Sequence, residues 1–194
     1  MAEQPEKVHV KDLKKKKKKW LTILASHEFR GQEIGETYIE EPEHALGRHL
    51  KVNLMTLTKD PKRQNYNVYF KITEVKNNQA LTELVAYKMQ LAQIKKITKK
   101  ARNKIEDSEV FETKDKKKMV IKPAFVTKSM TYKTSLSSVR LEARKFLAAY
   151  AKQTEASLIL QDIIMNNLQR ELKNAVKKIV PVTTCNIKAA YVEE

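Results

Sequence analysis

The chain has 194 residues, 41% of them hydrophobic, which is enough to build a core; only 3 glycines and 5 prolines exclude collagen-like and Gly/Pro-linker classes. Its 39 Lys+Arg against 23 Asp+Glu leave a net charge of +16, which repels itself unless a polyanion is near. Nucleic acid is the first candidate partner, an anionic membrane surface the second, and a merely soluble protein the third.

Residues 1–19 carry high charge and no apolar periodicity, and read as a basic extended arm ending in Lys14, Lys15, Lys16, Lys17, Lys18 and Lys19. The arm runs into "WLTILA", which imitates a signal peptide. That apolar run stops at Ala25, before Ser26, His27 and Glu28, and is too short for a secretory core or a membrane span. Residues 20–194 are expected to form one α+β domain. Trp20–Leu24 reads as a short strand, with Trp20 packed against the domain. The following "HEFRGQEIGETYIEEPEHALG" holds all three glycines and many acids, and reads as a long ordered loop. Alternation resumes at Leu50, Val52 and Leu54. It is clearest in "NYNVYFKITEV", with Tyr66, Val68, Phe70 and Ile72 on one side and Asn67, Tyr69, Lys71 and Thr73 on the other. "KNNQ" then signals a turn, so 65–87 is expected to be a hairpin.

Leu91, Ile94 and Ile97 share a helical stripe, which predicts an inserted helix over about 88–100. β character returns at Ile105, Val110 and Phe111, and a lysine-rich turn at Lys114 to Lys118 precedes "MVIKPAFVT". In that segment Pro123 marks a bulge or an edge. From about 135 to 180 the pattern is helical in three stripes. Ser135, Ser137 or Ser138 is expected to cap the first and Thr154 the second, and Pro181 stops the third. A strand over about 182–191 closes the chain. The fold class is therefore α+β, a mostly antiparallel, barrel-like sheet with flanking helices.

No chemistry of an enzyme is legible. Three scattered glycines build no phosphate loop. His44 and His49, with no cysteine beside them, are not a metal site. "EIGETYIEEPE" reads as a solvated acidic loop, and capping accounts for the serine cluster. The expectation is no catalysis, no cofactor and no metal. The single cysteine, Cys185, permits no intramolecular disulfide, fits a reducing, cytoplasmic setting, and is expected to be a buried small hydrophobe.

The positive charge is where function shows. Lys88 to Lys104 holds Lys95, Lys96, Lys99, Lys100, Arg102 and Lys104 and no acid. On a helix, Lys95, Lys96, Lys99 and Lys100 would make one ridge able to meet several phosphates; a merely solvated face usually mixes signs. A second patch has Lys128, Lys133, Arg140, Arg144 and Lys145 among small hydroxyls suited to sugar–phosphate contacts, and Lys116 and Lys117 extend it from a turn. Trp20 and Tyr132 border basic runs. Core packing is the first reading of each, stacking on an unpaired base the second. So broad a footprint suits folded RNA, recognised by shape and backbone.

These segments together resemble an archaeal and eukaryotic small-subunit ribosomal protein family, the eukaryotic-type "S-one" family, also called "S-three-Ae". The resemblance is carried by "KKWLTILASHEF", "EIGET" (Glu33 to Thr37), "GR" (Gly47-Arg48), "VYFKITEV", "KIEDSEVFETKD" followed by "VIKPAFVT", "TSLSSVR" and "KKIVP" (Lys177 to Pro181), in that order and spacing. The short C-terminus looks archaeal. Lys116 stands where the family usually has a glycine. The resemblance implies a barrel-like core and a structural role on the platform of the small subunit, near the mRNA exit and the 3′ end of the small-subunit rRNA. The implied partners are that rRNA, neighbouring platform proteins and mRNA near the exit, with no membrane. A free RNA-binding regulator or chaperone using the same basic surface is the alternative.

Overall fold

A computed structural model of the chain describes residues 18–98 and 100–193. The expected arm therefore lies outside the described residues up to Lys17, and Lys19 already belongs to the first strand. Among the described residues there are nine strands and five α-helices. The strands are β1 Lys19–Leu24, β2 Glu33–Ile39, β3 His49–Asn53, β4 Tyr66–Lys76, β5 Gln79–Met89, β6 Lys104–Glu106, β7 Glu109–Glu112, β8 Lys118–Thr127 and β9 Val182–Val192. The helices are α1 Leu54–Thr58, α2 Leu91–Ile97, α3 Lys133–Gln153, α4 Ala156–Met165 and α5 Asn167–Lys177.

The sheet is organised by two long strands whose edges are shared. β4 pairs antiparallel along the whole of β5. The other edge of β5 takes β1 in parallel at Gln79–Leu81 and β9 antiparallel at Ala86–Lys88. β8 pairs with β9 along its length, and its other edge is split between β7 and β6. β2 pairs only with β1 and β3 only with β4, so the path is open at both sides. The α+β expectation holds. The barrel-like closure does not: these pairings describe an open, mixed sheet.

The β4–β5 turn lies at the expected place. Asn77 and Asn78 take φ of 49° and 61°, the pair of left-handed residues that a tight hairpin needs and asparagine tolerates. Pro123 sits at a shift in the β8–β9 register, so it marks a bulge in an interior strand and not an edge. Thr127 ends β8 with its side chain fully buried.

Four sequence expectations are corrected. The stretch read as a loop after Ser26 contains β2. An edge strand bonded on one side needs no full alternation, and Ile34, Tyr38 and Ile39 are its only large apolar residues. The inserted helix is shorter than expected, because Lys88 and Met89 are held in the β5 ladder opposite Asn67 and Tyr66, and the helix ends at Ile97. The serines do not cap α3: its N-cap is Tyr132, while Ser137 and Ser138 hydroxyls donate back to the carbonyls of Lys133 and Thr134. Nor does Thr154 cap α4, whose N-cap is Glu155; Thr154 ends α3 instead.

α3, α4 and α5 cover one face of the sheet. Val139, Leu147, Ile159, Leu160, Ile163, Leu172 and Val176 meet Ile121, Phe125 and Ile187 in the main core. Each such large side chain taken from water contributes roughly 1.5–3 kcal/mol. A smaller core under β1 and β2 gathers Leu21, Ile23, Ile39, Ala45, Ile72 and Ala80. Cys185 is buried as expected, and burial pushes its thiol up to about 12.

Candidate nucleic-acid interface

The two basic segments, more than twenty residues apart in sequence, are joined by one set of hydrogen bonds. The Asn103 N–H donates to the Thr127 hydroxyl at 2.9 Å, and the Thr127 N–H donates to the Asn103 carbonyl at 3.0 Å. The Asn103 amide donates to the Thr131 carbonyl, and the Thr131 N–H donates to Asn103 Oδ1. Thr127 Oγ1 also donates to the Ser129 carbonyl at 2.7 Å. These bonds hold Asn103, between Arg102 and Lys104 in the chain, against Thr127, which precedes Lys128, and against Thr131, two residues before Lys133. Ile94 and Ile97 of α2 share a cleft with Lys104, Ala124 and Val126, which puts Lys95 and Lys96 on the border of the same region.

Carboxylates near this junction are already engaged. Lys104 and Lys188 bind Glu106 at 2.9 and 3.5 Å. Burial pushes the Glu106 carboxyl up, but the Lys104 hydrogen bond and the charge of Lys188 outweigh it and leave it lowered. Arg144 binds Asp107 through two hydrogen bonds, at 2.7 and 2.9 Å, and reaches Glu109 at 2.8 Å. Those bonds hold Asp107 below its ordinary value despite its partial burial. Arg144 thus ties α3 to the β6–β7 turn. Lys95, Lys96, Lys100, Arg102, Lys128, Lys133, Arg140 and Lys145 make no ion pair among the described residues.

The first turn of α3 adds to this. It contains no acid and no side chain caps it, so its free N–H groups and the positive end of the helix dipole stand with Lys133, the first residue of the helix. Lys133, Ser137, Arg140 and Arg144 follow along one stripe of the helix. Tyr132 is 84% exposed and Met130 73%, so Tyr132 is not the core residue of its first reading.

Other expected site residues lie elsewhere. The helical ridge does not form, because Lys100 is in a turn beyond α2 and Lys99 lies outside the described residues, as do Lys14 to Lys17. Lys116 and Lys117 sit at the opposite end of β8 from Lys128, about 30 Å away for a strand of that length, and Lys117 reaches Glu83 at 3.7 Å. Lys18, Lys19 and Trp20 lie at the β1–β2 edge. Trp20 is 63% exposed, against Tyr38 at 4.9 Å between ring centroids, and so does not pack into the domain. Lys18 lies over the Tyr38 ring and pairs with Glu40 at 3.5 Å. Sequence reasoning missed Asn103, Thr127 and Thr131, whose partnership is long-range and leaves no local pattern. Among the described residues no group of His, Cys, Asp or Glu gathers as a metal-ligand set, and no helix is long and apolar enough to cross a membrane.

Comparison with known proteins agrees in length as well as in pattern. The family described as "Ribosomal S3Ae family" matches residues 6–194. A protein of Nanoarchaeum equitans named small ribosomal subunit protein eS1 is 32% identical over 178 residues, which is 92% of this chain and 90% of that protein. Proteins of the same name from Halorubrum lacusprofundi and Methanocaldococcus jannaschii are 26% and 29% identical, over 92% and 86% of this chain and 83% and 75% of their own.

Proposed function

This chain belongs to the ribosomal S3Ae family, and from that premise we propose that it is a structural, non-catalytic constituent of the small ribosomal subunit, ribosome-associated in the cytoplasm, which holds rRNA through its lysine-rich surfaces. The observation that carries the RNA contact is the junction at Asn103 and Thr127. It gathers Lys100, Arg102, Lys128 and Lys133, whose neighbouring carboxylates are bound to other cations, beside an uncapped helix N-terminus. Phosphates are the complementary ligand: each one neutralised releases condensed counterions, and helix N–H groups donate directly to phosphate oxygens. The spread of the remaining cations over the β1–β2 edge, α2 and the far end of β8 suits contact with several backbone segments of a folded RNA.

We place the protein on the platform of the subunit, near the mRNA exit and the 3′ end of the small-subunit rRNA, among neighbouring platform proteins. The test is sucrose-gradient fractionation of a lysate containing the tagged chain. Co-migration with the small subunit through a high-salt wash is the expected result. A wholly free pool would instead support a free RNA-binding regulator or chaperone.

A further inference from the structure

The sheet face away from α3–α5 has a hollow of about 270 Å³ that the junction above does not use. It is built by register. Tyr69 of β4 stands opposite Ala86 of β5, which stands opposite Tyr191 of β9. In the next row, Lys88 of β5, Ala189 of β9 and Lys122 of β8 are aligned in the same way. Two tyrosines thus flank one alanine, and two lysines flank another. With strands about 4.8 Å apart, the tyrosines are about 10 Å from each other at the backbone, room for one flat ring. No carboxylate lines the hollow. Lys88 is exposed and makes no ion pair among the described residues, and Lys122 Nζ lies 5.2 Å from the centre of the Tyr191 ring.

We propose that this face holds an unpaired nucleotide of RNA, its base stacked on Tyr69 and Tyr191 across the Ala86 floor and its phosphate on Lys88 and Lys122. The proposal rests on the RNA-binding reading above. Flat aromatic faces beside cations on an open sheet are what an unpaired base and its phosphate need, and a base pair's stacked faces are closed to them. A base arriving over Tyr191 takes the place of the Lys122 ammonium, which is released on its flexible stem toward the phosphate. A peptide strand has little use for this surface, since both edges of β5 and β9 at this point, and the β9-facing edge of β8, are already bonded.

The test measures fluorescence anisotropy with a labelled 12-nucleotide oligouridylate and a labelled 12-base-pair RNA duplex. The intact chain is compared with Tyr69→Ala/Tyr191→Ala, Tyr69→Leu/Tyr191→Leu and Tyr69→Phe/Tyr191→Phe. The Leu pair keeps the bulk if the Ala pair fails to fold, and circular dichroism melts confirm folding. The expected result is at least a tenfold loss of single-strand affinity in the Ala or Leu pair, duplex affinity within twofold, and both affinities within threefold in the Phe pair. Unchanged single-strand affinity, or equal losses on both RNAs, would overturn the stacking site while leaving the RNA reading intact. Failure of the unaltered chain to bind either RNA would overturn both.

Discussion

Thr127→Val is the sharpest probe of the junction that joins the two basic segments. Thr127 is fully buried, and valine reproduces its shape. What the change removes is the acceptor for the Asn103 N–H at 2.9 Å and the donor to the Ser129 carbonyl at 2.7 Å. Two such bonds contribute about 0.5–1.5 kcal/mol each, and the stranded Asn103 N–H adds roughly 1 kcal/mol, so the loss is about 2–4 kcal/mol. For a chain of this length that lowers the melting temperature by about 4–16 °C. Thr127→Ser keeps the hydroxyl and loses one methyl, about 1 kcal/mol. Thermal melts followed by circular dichroism compare the three proteins, and valine should be clearly worse than serine. A valine variant as stable as the unaltered chain, or more stable than the serine variant, would refute the reasoning. Anisotropy with an RNA duplex adds a functional readout: loosening of 100–104 from 127–133 should weaken binding in the valine variant first.

Lys116 holds φ of 59° in the β7–β8 turn, where a side chain is strained, so Lys116→Gly should stabilise by about 0.5–1 kcal/mol once glycine's added unfolded-state freedom is subtracted. Urea unfolding reads this, and a destabilised variant would contradict it. Asp107→Asn should melt lower than the unaltered chain at pH 7, because Arg144 holds the Asp107 carboxyl below its ordinary 3.8. A lowered carboxyl contributes its stability above 3.8 and loses it as pH falls through the folded value, so the gap between the two melts should close at lower pH. A gap that is constant with pH would assign the effect to packing.

Local pattern carried some of this fold and could not carry the rest. The β4–β5 hairpin was legible because Val68, Phe70 and Ile72 alternate with polar residues and two asparagines supply the turn. The helices α3 to α5 were legible from the three- and four-residue spacing of Val139, Ala143 and Leu147 and of Leu168, Leu172 and Val176. β2 was hidden because its pairing with β1, and not its own composition, makes it a strand. α2 was overextended because Lys88 and Met89 fit a helical stripe but gain more from the β5 ladder. The basic character of the surface was plain from the Lys88 to Lys104 run, yet a helical ridge was the wrong geometry for it. The actual cluster depends on Asn103 meeting Thr127 and Thr131, and hydrogen bonds across that separation have no periodicity to read. Tyr69, by contrast, stands on the polar side of an alternating strand in the sequence pattern as it does in β4.

Binding of rRNA by the junction cluster is tested by incorporation into the small subunit. A tagged chain carrying Lys100→Glu, Arg102→Glu, Lys128→Glu and Lys133→Glu is expressed beside the unaltered chain, its fold is verified by a melt, and both are followed into small subunits on sucrose gradients. All four positions are solvent-facing or half-exposed, so folding should survive. The folded variant should be largely excluded from the subunit while the unaltered chain is incorporated. Equal incorporation of the two would contradict it.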